Sequence, residues 1–197
     1  LALKREALEM RRRLYAGVAH MDLAASLNNV GDTLEAMGDR AAGLAMKREA
    51  LEMMRRLCSG VDHPDLAASL NNVGVSLEAM GDRAVGLTMK REALEMTQRL
   101  HAGVDHPALA VYLNNVGMTS EANGDLEAGL AMKREALEMR QRLHDVDHPD
   151  LAASLNNVGD SLVAMGGLTA GMAMQREALE MRRRLHAGVD HPDLAAS

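Results

Sequence analysis

Four adjacent asparagine pairs, Asn28-Asn29, Asn71-Asn72, Asn114-Asn115 and Asn156-Asn157, are the residues of this sequence best suited to recognising another molecule. A primary amide is donor and acceptor at once, so it can match a peptide unit without demanding a particular side chain. Histidines also come in pairs: His101/His106, His144/His148 and His186/His191. Two imidazoles brought together can hold a metal ion, but no Cys or carboxylate stands at a signature spacing. The simpler reading is structural. The His before Pro caps one helix, and its companion ends the preceding one, where positive charge is welcome. Basic clusters such as Lys47-Arg48 and Arg55-Arg56 could meet phosphate. They are interleaved with Glu49 and Glu52, and Arg48–Glu52 and Glu52–Arg56 stand four apart, which describes a solvated, self-paired helix face.

Signatures of catalysis are missing. The sequence has no HExxH, no Gly-rich loop ending in Lys-Ser/Thr, no GxSxG and no paired Cys ligands. No catalytic residue, metal site or cofactor is therefore expected, and the protein is not expected to be an enzyme. A net charge of −6 argues against nucleic acid as a partner, and the basic clusters carry no aromatic residue on which bases could stack. Trp and Phe are absent, so core volume must come from Leu, Val, Ala and 16 Met, whose flexible thioethers fill irregular gaps. No apolar run approaches the roughly 18–20 residues of a membrane span. The lone Cys58 cannot form an internal disulfide and no signal peptide is visible, which together lead to an expected cytoplasmic location.

A repeat must position these residues. The string NNVG begins at Asn28, Asn71, Asn114 and Asn156, spaced by 43, 43 and 42, and His-Pro begins at His63, His106, His148 and His191 in the same rhythm, with His20-Met21 in the matching place of the first copy. Each unit reads as two helices. The first runs roughly over 64–80, with Pro64 at the first helical position, Asp65 complementing the dipole and Gly81 as the stop. Its apolar stripe is Leu66, Leu70, Val73, Leu77 and Met80. The second runs roughly over 83–100, with Gly86, Met89, Ala93, Met96 and Leu100 on one face and Leu87 and Leu94 nearly opposite. Apolar residues on two sides are what a stacked array needs.

Gly74 and Gly86 fall inside these helices, with counterparts at Gly31/Gly43, Gly117/Gly129 and Gly159/Gly171. A helix-interior Gly costs roughly 1 kcal/mol against Ala. Such recurrence implies two helices crossing with their backbones close together, although duplication of a tolerated defect would leave the same pattern. On the close-crossing reading, Leu at position 86 overpacks the crossing while Ala there is mild.

The segment from Leu70 to Met96, with small Gly74, apolar Leu77, turn Gly81-Asp82, small Gly86 and Ala93 at their offsets, resembles the tetratricopeptide repeat family. The long period and the HPDLAASLNNVG opening resemble its kinesin-light-chain-like branch, with units of about 42 residues. Signature aromatics are replaced by Arg83 and Lys90, and Ala by Gly86. The resemblance implies an all-α solenoid of helix–turn–helix repeats, wound as a right-handed superhelix with first helices inside. The array spans 1–197: a leading second helix at 1–15, repeats at about 22–57, 64–100, 107–143 and 149–186, and a truncated first helix from 191.

The resemblance also implies a protein-interaction scaffold that holds an extended peptide along its first helices. The second Asn of each pair (Asn29, Asn72, Asn115 and Asn157) would grip the guest's backbone. The other reading of the pairs is that they tie neighbouring repeats together. Glu35, Glu78 and Glu121 recur at the rim, with Val163 in the fourth place, so a neutral or basic guest is favoured over an acidic one. Two further roles stay open. The ends carry Leu3, Ala7, Met10 and Leu14 on one helix and Met172 and Leu179 on another, which could stack copies end to end. The array could also be a regulatory arm of a larger multidomain protein.

Overall fold

Local signals decide where each helix starts and stops. A computed structural model describes residues 1–186. In it the order is α1 (Ala2–Leu14), α2 (Met21–Ala36), α3 (Arg40–Cys58), α4 (Pro64–Ala79), α5 (Arg83–Leu100), α6 (Pro107–Ala122), α7 (Leu126–Leu143), α8 (Pro149–Ala164) and α9 (Leu168–Leu185), with no strand among the described residues. The first helix expected from position 191, and His191 with it, lie outside the described residues.

Each first helix (α2, α4, α6, α8) opens on a histidine. Nδ1 of His20, His63, His106 and His148 accepts the backbone N–H two residues on, at 3.1–3.2 Å, satisfying a donor that the helix leaves orphaned. Pro64, Pro107 and Pro149 follow at the start of the helix, where a missing N–H does no harm. Each first helix stops at a glycine in the left-handed region, such as Gly81 at φ +93°. Second helices α3 and α7 open on Asp39 and Asp125, whose carboxylates accept from Ala42 and Ala128 N–H at 3.1 and 3.2 Å.

The hairpins α2/α3, α4/α5, α6/α7 and α8/α9 form two compact units, divided between Ala102 and Gly103, with α1 in the first. In both, the core repeats the same three positions. Leu27, Leu70, Leu113 and Leu155 are buried with Val30, Val73, Val116 and Val158 from the first helices. Ala50, Ala93, Ala136 and Ala178 meet them from the second helices, each fully buried. Burying one such Leu contributes about 1.5–3 kcal/mol. The expected first-helix stripe ends one residue early, because Met80 is 49% exposed. It is the residue that closes α4 beside the left-handed Gly81, so its side chain leaves the face.

Helices within a hairpin cross at the paired glycines. A Cβ added to Gly74 would stand 2.8 Å from the Gly86 carbonyl oxygen, and one added to Gly86 would stand 2.7 Å from that of Gly74. The same reciprocal approach joins Gly31 to Gly43, Gly117 to Gly129 and Gly159 to Gly171, at 2.7–2.9 Å. The close crossing expected from the sequence is present, and its geometry argues against the mildness expected of Ala at 86. The obstructing atom is a backbone oxygen, which cannot swing aside.

Neighbouring hairpins within each unit are linked by polar side chains from the second helices. Lys133 Nζ donates to Ser161 Oγ at 2.9 Å, and Arg140 donates to the Asp150 carbonyl at 3.1 Å and to the Ser154 hydroxyl. In the first unit Lys4 Nζ donates to Thr33 Oγ1 at 2.8 Å and Arg11 to the Ser26 hydroxyl. The ends of α1 and α9 stay open: Leu3, Ala7, Met10, Leu14 and Met172 are exposed and Leu179 is half-buried.

A clasp closes each of three hairpins at its open end. Nε and Nη2 of Arg99, Arg142 and Arg184 donate to both oxygens of Asp62, Asp105 and Asp147, at 2.5–3.0 Å. The bidentate guanidinium holds each Asp carboxyl below its ordinary range. A carboxyl whose folded pKa is depressed stabilises the fold at pH values above its unfolded pKa, about 4, and loses that contribution as pH falls through the folded value. Thermal melts of the protein should therefore fall in midpoint below about pH 4. The Arg99→Gln/Arg142→Gln variant should melt lower at neutral pH and show a shallower acid dependence. Equal slopes for variant and parent would show that the clasps contribute nothing.

Candidate functional site

The asparagine pairs sit on the first helices, each one turn before the glycine crossing, and the two members of a pair differ in surroundings. Asn71 is buried, Asn28, Asn72, Asn114, Asn115, Asn156 and Asn157 are half-buried, and Asn29 is exposed. In the second unit one tie is made: Asn157 Nδ2 donates to Asn114 Oδ1 at 3.0 Å, joining α8 to α6. Asn156 Nδ2 donates to Asp160 Oδ2 within its own helix at 3.0 Å, and Asn114 Nδ2 to Met118 Sδ at 3.4 Å. The corresponding tie in the first unit, Asn72 to Asn28, is not made. Asn28 Oδ1 is buried without a partner, and the side-chain amides of Asn29 and Asn72 carry no hydrogen bond among the described residues.

Beside these amides lies a depression between α2 and α4, lined by Asp22, Ala25, Asn28, Asp65, Ala68 and Ser69. Small side chains let a guest's backbone come close, and the two carboxylates give the mouth negative charge. Asp22 is steadied by Tyr15, whose hydroxyl donates to Oδ2 at 3.0 Å.

The three recurring glutamates do not supply free charge. Lys47 Nζ donates to Glu35 Oε2 at 2.8 Å, Lys133 Nζ to Glu121 Oε2 at 2.6 Å, and Lys90 to Glu78. Lys47 also pairs with Asp32 at 2.8 Å. All three lysines are buried: Lys47 and Lys90 are 3% exposed and Lys133 6%. Each descends from the second helix, one turn after its crossing glycine, and reaches across the hairpin. Two sequence expectations are thereby corrected. Lys47 is not on a solvated face, and the acidic rim drawn from Glu35, Glu78 and Glu121 is already neutralised. In the fourth hairpin Val163 stands in the Glu position and Gln175 in the Lys position, its Nε2 donating to Asp160 Oδ1 at 2.7 Å. The acidity that remains at the groove comes from Asp22 and Asp65; the sequence pattern marks Asp65 only as a complement to the helix dipole and does not single out Asp22.

His144, His148 and Asp150 bring ligand atoms within 4.8 Å of one another. The two rings are stacked at 3.7 Å and 8°, so their in-plane lone pairs run parallel and do not converge on one ion. His148 Nδ1 is also engaged as the cap of α8. Tyr15 stacks on His20 at 3.7 Å and 7° in the same place of the first unit, and a phenol there shows that the arrangement serves ring packing. Burial, with Asp65 nearby, pushes the Cys58 thiol up, the opposite of what a nucleophile needs.

A family described as tetratricopeptide repeat matches residues 22–99 and 108–184. No curated protein matches the chain in sequence. Among solved structures, BtubC (BKLC) from P. vanneervenii is similar over 97% of this chain and 75% of its own, with 23% identity and a TM-score of 0.80. A putative kinesin light chain of Podospora anserina, with nearly identical TPR-like repeats, is similar over 94% of this chain and 90% of its own, at 14% identity and a TM-score of 0.72. These likenesses are likenesses of fold. No described helix is long and apolar enough to cross a membrane.

Proposed function

Since this chain belongs to the tetratricopeptide repeat family, whose repeats mediate protein–protein interaction, we propose that it is an interaction module that takes an extended peptide along its first helices. The observation that carries this reading is the depression between α2 and α4, lined by Asn28, whose Oδ1 is buried without a partner, with the uncommitted amides of Asn29 and Asn72 on the same two helices. An amide held on a rigid helix can bond both the N–H and the C=O of a guest's backbone, giving affinity with little dependence on sequence. Asp22 and Asp65 favour a neutral or basic guest.

End-to-end packing of copies is the alternative. It draws on the exposed Leu3, Met10 and Leu14 of α1. A further repeat in a longer chain would cover the same face, so that surface supports a neighbouring repeat as well as a second molecule.

The test is to select peptides against the protein from a random display library and to map the tightest binder by amide chemical-shift changes. Shifts should concentrate on α2 and α4, at Ala25, Asn29, Ala68 and Asn72. Shifts confined to the outer faces of α3 and α5 would contradict the proposal.

A further inference from the structure

We propose that Arg56, at the end of α3, is a docking point for the carboxylate of an Asp or Glu side chain of a partner protein, which enters beside Ala19 against an apolar wall. The inference concerns a surface other than the first-helix groove and does not rest on that reading, so either can fail alone.

The repeats themselves identify the ligand chemistry. Arg99, Arg142 and Arg184 each hold an aspartate 37 positions earlier with a two-pronged guanidinium fork. Arg56 is the same residue of the first complete hairpin, and the position 37 earlier is Ala19. The fork is present and its carboxylate is missing. Arg56 is exposed and makes no ion pair among the described residues. Its neighbour Arg12 is already spent on Glu49, at 3.0 and 3.1 Å.

A built recess surrounds the unspent fork. Arg12, Tyr15, Ala19, Leu23, Met53 and Arg56 line one depression. Tyr15 is fixed there twice, by stacking on His20 and by donating to Asp22. Leu23 is buried and Met53 half-buried, so the wall combines a rigid face with an adaptable one. A side chain that brings a carboxylate to Arg56 lays its own stem, and an aliphatic neighbour, along that wall. A planar fork with two parallel N–H donors matches a carboxylate bidentately, and the sister hairpins show this same arginine doing so.

The experiment uses the full chain, labelled with 15N, and the blocked peptide acetyl-Val-Asp-Leu-amide, with acetyl-Val-Asn-Leu-amide and inorganic phosphate as comparisons. The Asp peptide should shift the Ala19 amide and the Arg56 Nε–H resonance and bind about fivefold more tightly than the Asn peptide, the scale of an exposed but well-oriented ion pair. Ala19→Asp installs the sister hairpins' own carboxylate on Arg56 and should abolish those shifts while raising the melting temperature. Arg56→Gln should abolish them without that rise. Three results would each overturn the proposal: equal binding of the Asp and Asn peptides, undiminished binding to Ala19→Asp, or phosphate outcompeting the Asp peptide for the same resonances.

Discussion

Replacing Gly86 by Ala is expected to destabilise the protein by about 1–3 kcal/mol, although Ala is the better helix former by roughly 1 kcal/mol. The two effects oppose each other, and geometry decides the winner. The new Cβ would lie 2.7 Å from the Gly74 carbonyl oxygen and 3.3 Å from the Glu78 nitrogen. Both obstacles belong to the backbone of α4, so the strain is relieved only by moving a whole helix away from its partner. That movement loosens the contacts of Leu70, Val73 and Ala93 with it. A thermal melt against the parent checks this directly. A variant as stable as the parent, or more so, would mean that α4 and α5 can separate cheaply and that the glycines are a tolerated inheritance. Gly17, which takes a φ of +77° with nothing around its would-be Cβ, is not a fair control, because its strain is conformational.

The second large effect is expected from the buried lysines. Glu121→Leu removes the carboxylate that Lys133 Nζ meets at 2.6 Å, leaving an ammonium that is 6% exposed with Ser161 Oγ as its remaining partner. Removing one partner of such a pair costs about 3–5 kcal/mol. The double variant Glu121→Leu/Lys133→Met should recover most or all of that loss, since an apolar pair of similar volume can match a buried ion pair. Chemical denaturation of parent, single and double variants gives the comparison. If the single variant unfolds like the parent, the lysine finds water in the folded state and the pair is not structural. The fourth hairpin hints at the outcome, for it lacks both charges: Val163 and Gln175 occupy these positions.

That covariation is legible in the sequence alone. Lys47, Lys90 and Lys133 each follow a crossing glycine by four residues, which puts them on the glycine's own face, and where the Glu becomes Val163 the Lys becomes Gln175. Taken with Arg48, Glu49 and Glu52, Lys47 instead resembles an ordinary solvated stripe. Local signals fared better because their physics is local: His63, Pro64 and Gly81 mark the ends of α4 within a residue, and Gly74 with Gly86 marks the crossing. The Arg–Asp clasps could have been found from a recurring separation of 37, yet two exposed charges that far apart carry no signal in a helix-by-helix reading. One residue's step around the helix, about 100°, decides between groove and tie, and the structure places Asn157 in a tie while leaving Asn29 and Asn72 unspent.

Those two fates supply the most direct test of the interaction reading. A selected peptide is titrated by calorimetry into the parent, into Asn29→Ala/Asn72→Ala, and into Asn114→Ala/Asn157→Ala, and the melting temperature of each protein is recorded. The account predicts that the first double variant binds more weakly by about 1–3 kcal/mol and melts no lower than the parent, since Ala favours helix and no internal bond is lost. The second should melt lower and keep most of its affinity. If instead Asn29→Ala/Asn72→Ala binds like the parent and melts earlier, its amides serve the fold, and the proposed peptide groove along the first helices is wrong.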